Sequence, residues 1–105
     1  MSNRINKINQ LLLKELAQLI HQEFPGKFIT VIAVETTLDI KNAKVWVSVL
    51  SQDEETILKE LEEKKGSFQS YLGKKLFIKT IPKISFSIDK SPERVAKIEE
   101  LLKKT

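Results

Sequence analysis

The stretch that most constrains the fold of this chain is Ala43 to Leu50. Ala43, Val45, Val47 and Val49 fall on one side of a two-residue period, and Lys44, Trp46, Ser48 and Leu50 on the other. That period is the signature of a β-strand. A strand with one wholly aliphatic face must bury it against another layer. The sequence supplies helices for that layer. From Asn3 to about Gln22, Ile5, Ile8, Leu12, Leu16 and Leu19 recur at spacings of three and four, and Leu11, Leu13 and Ile20 widen the stripe. One face of a helix has this spacing, and Pro25-Gly26 ends it. The expectation is a two-layer α+β protein.

The remaining segments fill in that frame. Phe28 to Thr37 is rich in β-branched residues and predicts a strand. Leu38 to Asn42 predicts a turn, with Asp39 and Asn42 able to bond their own backbone. Ser51-Gln52-Asp53-Glu54 fits a capping box opening a helix with Ile57, Leu58 and Leu61 inward. Gly66 is a natural place to interrupt it, and a second short helix carries Phe68, Leu72 and Leu76. Leu76 to Ile88 predicts a third strand. Pro82 within it cannot donate to a ladder, which sends this strand to an edge. Ser91-Pro92-Glu93 opens a last helix with Val95, Ile98, Leu101 and Leu102 inward.

The predicted order is α-β-β-α-α-β-α, with a kink near Gly66, in a single domain over residues 1–105. The first two strands form an antiparallel hairpin. The second and third are joined by a helical crossover long enough for parallel neighbours. A three-stranded mixed sheet in the order 1-2-3, with helices packed on one face, has the type II KH topology.

Composition excludes several function classes. The chain has no cysteine, which rules out disulfides, thiol catalysis and cysteine-ligated metals. The single histidine, His21, lacks an orienting partner in the pattern. There is no Walker loop, no G-x-G-x-x-G and no G-x-S-x-G. No apolar run approaches the ~20 residues of a bilayer span. The N-terminal MSNRINKINQ lacks the apolar core of a signal peptide. The expectation is therefore a cytoplasmic protein with no cofactor, no metal, no small-molecule substrate and no enzymatic activity. Trp46 on the second face of its strand is a candidate stacking platform for a base, although shielding the open side of the sheet explains it more simply.

Charge is modest in total but sorted along the chain: 18 basic and 14 acidic residues leave a formal +4. Gln52 to Glu63 holds six acids and one lysine, whereas Lys64 to Lys83 holds six lysines and no acid. The acids along a capped helix read as a solvated face. The basic block suits a polyanion. A KH module clamps single-stranded nucleic acid with a G-x-x-G loop, and Lys64-Lys65-Gly66-Ser67-Phe68-Gln69 lacks the second glycine. Lysines on a folded surface can still hold structured RNA by its phosphates. Two other readings stay open: a general single-stranded RNA-binding KH protein, and a protein-interaction module using the face around Trp46 and Leu50.

Four segments carry a resemblance over nearly the full length. They are R-I-N-K-I (Arg4 to Ile8), D-I-K-N-A-K-V-W-V-S-V (Asp39 to Val49), L-G-K-K-L-F-I-K-T-I-P-K-I-S-F-S-I-D-K-S (Leu72 to Ser91), and the closing apolar helix. Together they resemble bacterial ribosome-binding factor A. The resemblance implies a type II KH-like fold in which an Ala-x-Gly kink replaces G-x-x-G. Here Lys64-Lys65-Gly66 keeps the glycine and not the alanine. It further implies binding to free 30S ribosomal subunits and 16S rRNA in late assembly, support for maturation of the 16S rRNA 5′ region, and a role in growth in the cold. The expected phosphate contacts of such a monomeric factor are Lys64, Lys65, Lys74, Lys75, Lys79 and Lys83, with Arg4 and Lys7 behind them and Gly66 as the structural kink.

Overall fold

A computed structural model describes residues 3–50, 54–76 and 78–89. Helix α1 spans Asn3–Glu23, strand β1 Phe28–Thr36, strand β2 Asn42–Leu50, helix α2 Glu54–Lys75 and strand β3 Lys83–Ile88. The strands form one sheet in the order β1-β2-β3. The hairpin is antiparallel from Phe28↔Leu50 to Thr36↔Ala43, and its register shifts between Val31 and Ala33, where β1 carries a bulge. Strands β2 and β3 are parallel, from Asn42↔Lys83 to Val47↔Ile88. The mixed three-stranded sheet, the crossover and the edge position of β3 are those the sequence predicts.

Alternation along β2 decides which face is covered. Ala43, Val45, Val47 and Val49 are buried in one core with Ile8, Leu12, Leu16, Ile20, Ile57, Leu61, Phe68 and Leu72 from the two helices. Burying aliphatic and aromatic side chains of this size contributes about 1.5–3 kcal/mol each. Phe86 of β3 meets Phe68 edge to face, with ring centroids 6.2 Å apart. Helix α1 ends as expected: the Phe24 amide closes the last turn on the Ile20 carbonyl, and Gly26 takes φ 81° beyond it.

Three expectations need correction or fall elsewhere. The two middle helices are one: α2 runs unbroken through Gly66. The reason is phase. Ile57 and Leu61 lie on one stripe, and Phe68 and Leu72 continue it because Leu61 to Phe68 is just under two turns. An exposed glycine there weakens a helix by about 1 kcal/mol, and the buried stripe on both sides of it outweighs that. The third strand begins at Lys83, not Leu76, since Pro82, locked in φ and lacking an N–H, sits immediately before the ladder. Ser51 of the capping box and the whole final helix from Ser91 lie outside the described residues.

Candidate nucleic-acid interface

Parallel pairing of β2 and β3 brings their N-terminal ends to the same end of the sheet. The turn before β2 is tightly specified. Thr37 donates its hydroxyl to the Asp39 carboxylate, which also accepts the Lys41 amide at 3.1 Å. These two bonds, the Thr37 hydroxyl first and the Lys41 amide second, hold the Asp39 pKa below the ordinary aspartate range. Ile40 follows with φ 60°, a left-handed conformation that β-branched residues rarely adopt. Its side chain is half-buried against the core. The Lys41 carbonyl then accepts the Lys83 amide at 2.9 Å, tying the two strand starts together.

From the other side, α2 grips the same place. The Gln69 carboxamide donates to the Pro82 carbonyl at 2.7 Å and accepts the Ile84 amide at 3.2 Å. Since the Lys83 amide points to β2, these two groups face the outer edge of β3. Gln69 thus occupies the position of a neighbouring strand and fixes the backbone on both sides of Lys83.

The product is a cleft of about 510 Å³ lined by Lys41, Glu62, Lys65, Gly66, Gln69, Ile81 and Lys83. Three ammonium groups from three different elements line it against one carboxylate. Lys65 pairs with Glu62 at 3.4 Å, an exposed (i, i+3) contact worth at most about 0.5 kcal/mol. Gly66 is exposed, and a Cβ built on it would meet nothing within 4 Å, so the wall of the cleft there is bare helix backbone.

The structure divides the other predicted lysines. Lys64 pairs with Glu23 at 3.0 Å and lines a separate concavity with Lys27, Glu60 and Glu63. Successive helix residues diverge by about 100°, so Lys64 and Lys65 do not form a pair. Lys74 and Lys75 are exposed in the last turn of α2, where cations suit the helix dipole. Lys79 is exposed in a bend. Arg4 and Lys7 line a third concavity with Ile8, Leu11 and Ile78. Of the six lysines expected between Lys64 and Lys83, only Lys65 and Lys83 therefore line the cleft at Gly66, and Lys41 joins them. Lys41 reads as a turn residue in the sequence; the parallel β2–β3 pairing is the signal that places it beside Lys83.

On the opposite face, Trp46 is half-buried across from Ala33 and Ser87. The Lys44 ammonium lies 5.0 Å from its ring centroid, and the indole N–H is buried with no hydrogen-bond partner among the described residues. Among those residues, no group of three or more His, Asp or Glu side chains is placed to hold a metal ion. No described helix is long and apolar enough to cross a membrane.

Comparison with known proteins bears on this fold directly. The family model for ribosome-binding factor A matches residues 4–102. The ribosome-binding factor A of Akkermansia muciniphila is 36% identical over 105 residues, covering 97% of this chain and 84% of that protein. That of Desulfitobacterium hafniense is 38% identical over 106 residues, covering 96% and 85%. Among solved structures, the crystal structure of Thermus thermophilus ribosome-binding factor A superposes with a TM-score of 0.73 at 21% identity, over 80% of this chain and 94% of that one. A Thermotoga maritima protein described as a putative ribosome binding factor A gives 0.59 at 32% identity, over 85% and 86%. A Thermus thermophilus homology model, fitted into a cryo-EM map of a 30S complex, gives 0.66 at 20% identity, over 88% and 98%.

Proposed function

The chain belongs to the ribosome-binding factor A family, and on that premise we propose that it is an assembly factor that docks on free 30S ribosomal subunits through 16S rRNA. The observation that carries the reading is the convergence of Lys41, Lys65 and Lys83 around the bare backbone at Gly66. Phosphates of a folded RNA meet a basic, open cleft there. The Thermus relative fitted into a 30S complex supports the choice of particle. Lys74, Lys75 and Lys79 extend the contact beyond the cleft, and Lys64 exchanges Glu23 for a phosphate at small cost, because an exposed pair is worth about 0–1 kcal/mol.

No covalent chemistry is required of such a factor. It acts in the cytoplasm as a monomer, without cofactor or small-molecule substrate, in late maturation that includes the 16S 5′ region. Wrong rRNA conformers persist longer in the cold, and a protein that prefers one conformer shifts the population by no more than its difference in affinity for the two. Growth in the cold is where its loss is felt.

Co-sedimentation with purified 30S subunits over a salt series tests the reading. Seven neutralised phosphates, three in the cleft and four beyond it, give a log–log salt slope of about −5 with the single-strand coefficient, of which the cleft accounts for about −2. The double variant Lys41→Glu/Lys83→Glu keeps its fold, since both residues are exposed, and sediments mostly free. Unchanged co-sedimentation of that variant, or a salt-independent wild type, would refute the cleft as the contact.

A further inference from the structure

The concavity at the start of α1 has a different character from the lysine cleft. Its volume is about 340 Å³, and the described residues lining it are Arg4, Lys7, Ile8, Leu11 and Ile78. Ile8 is buried in the core, whereas Leu11 stays 41% exposed. The floor is thus aliphatic, with two cations on its rim and no acid among the described lining residues. Neither Arg4 nor Lys7 has an ion-pair partner among the described residues.

A second observation comes from the helix itself. Arg4 and Lys7 stand at the beginning of α1, and its first turn holds no acid. The N-terminus of a helix carries the positive end of its dipole, where cations are unfavourable and anions are stabilised. The sequence therefore sets positive charge against positive charge at this end. A locally unfavourable placement next to an exposed apolar floor is what a binding site requires and folding alone does not.

We propose that this groove docks an acidic amphipathic helix of a partner protein. An apolar side chain of the partner covers Leu11 and Ile78, and carboxylates one turn to either side meet Arg4 and Lys7. RNA suits the groove less well: a phosphate strand would satisfy the two cations but leave the aliphatic floor of Leu11 and Ile78 uncovered. This assignment gives Arg4 and Lys7 a role separate from the lysine cleft and does not depend on the rRNA reading.

The test uses the full chain and a fluorescein-labelled helical peptide of repeating Glu-Glu-Leu-Leu pattern. A scrambled peptide of equal composition and an RNA oligonucleotide of similar net charge serve as comparison probes. Saturable binding of the amphipathic peptide is expected, at least tenfold tighter than the scramble. In ¹H–¹⁵N spectra the shifts should centre on Lys7, Ile8, Leu11 and Ile78. Arg4→Glu/Lys7→Glu should weaken the peptide about tenfold and raise the melting temperature, because the substitution favours the helix dipole. Leu11→Ala should weaken it severalfold while the fold persists. Equal affinity for the scramble, shifts centred elsewhere, or an unaffected charge-reversal variant would overturn the proposal. So would loss of RNA binding, and not of peptide binding, in that variant, which would make Arg4 and Lys7 phosphate contacts.

Discussion

Replacing Gly66 by alanine separates stability from function in opposite directions. Gly66 lies in the interior of α2, twelve residues after Glu54 and nine before Lys75. Its φ is not positive, Gly26 alone among the described glycines being so, so an L-residue is not strained there. Its added Cβ would meet nothing within 4 Å, so no steric cost offsets the gain in helix propensity. Alanine over glycine at such a site is worth about 0.8–1 kcal/mol, part of it through the unfolded chain. For a domain of this size that raises the melting temperature by roughly 4–8 °C. The same methyl projects from the wall of the lysine cleft and holds a phosphate strand off the helix backbone, so 30S affinity falls severalfold. Gly73 is the internal control. It sits in α2, also with open space around a Cβ, but does not line the cleft. Gly73→Ala should stabilise less, being in the last turn, and leave 30S binding alone. Circular dichroism melts and co-sedimentation of the two variants give both readouts. A destabilised Gly66→Ala would refute the continuous helix and mean that the glycine serves a bend. A stabilised variant with unchanged binding would refute contact at the bare backbone.

The other expected outcomes concern how the cleft is held. Gln69→Leu removes two half-buried hydrogen bonds and should cost about 1–3 kcal/mol in a denaturant melt; a loss below about 0.5 kcal/mol would show that water replaces the carboxamide. Gln69→Glu places a carboxylate oxygen against the Pro82 carbonyl, and only the protonated form can donate. Its folded-state pKa is therefore raised, the folded state binds the extra proton, and the variant's stability should recover as pH falls, whereas the wild-type carboxamide does not titrate and adds no pH dependence. Asp39 behaves in the opposite sense. Its folded pKa is depressed by the Thr37 hydroxyl and the Lys41 amide, so its contribution is present above the ordinary aspartate pKa and is lost as pH falls through the folded value. The Lys41 amide shift should titrate with a midpoint below the ordinary aspartate range and lose that step in Asp39→Asn; a midpoint at or above the ordinary value would contradict the turn geometry.

Period and punctuation make most of the fold legible. The strict alternation at Ala43–Leu50 determines which side of β2 is buried, and every one of its four aliphatic residues is in the core. Pro82 points to an edge strand, and in the structure it lies just before β3 and sets where the strand begins, which alternation alone does not reveal. The middle helix is misread when Gly66 is weighed as punctuation, because the stripe Ile57, Leu61, Phe68, Leu72 holds one phase across it. Propensity at one exposed position is worth about a kilocalorie; four buried side chains are worth several times that. The candidate site is legible only in outline. A block of lysines in sequence says how much positive charge is near, not which way each side chain leaves its helix. Thus Lys64 and Lys65, adjacent in the chain, line different concavities, and Lys41 and Lys83, far apart in it, line one.

The placement of the two helix carboxamides explains why the cleft lies where it does. Asn9 of α1 accepts the Thr36 amide at 3.1 Å, and the Thr36 hydroxyl as well. The Thr37 amide bonds across to Asn42, so the Thr36 amide faces the free edge of β1. Gln69 of α2 does the same for the free edge of β3. Thr36 is at the end of β1, Asn42 at the start of β2 and Lys83 at the start of β3; all three meet at one end of the sheet. Each helix therefore clips one sheet edge at the end that carries Lys41 and Lys83. Edge amides left open invite pairing with another chain, and a site on unpinned strand ends would fray with them. With both edges clipped, the two lysines are borne on backbone fixed from each side, so less order has to be imposed when a polyanion binds. Rigidity comes from the Asn9 and Gln69 carboxamides, and charge from the Lys41, Lys65 and Lys83 ammonium groups. That division of labour allows the cleft to stay open and hydrated without losing its shape.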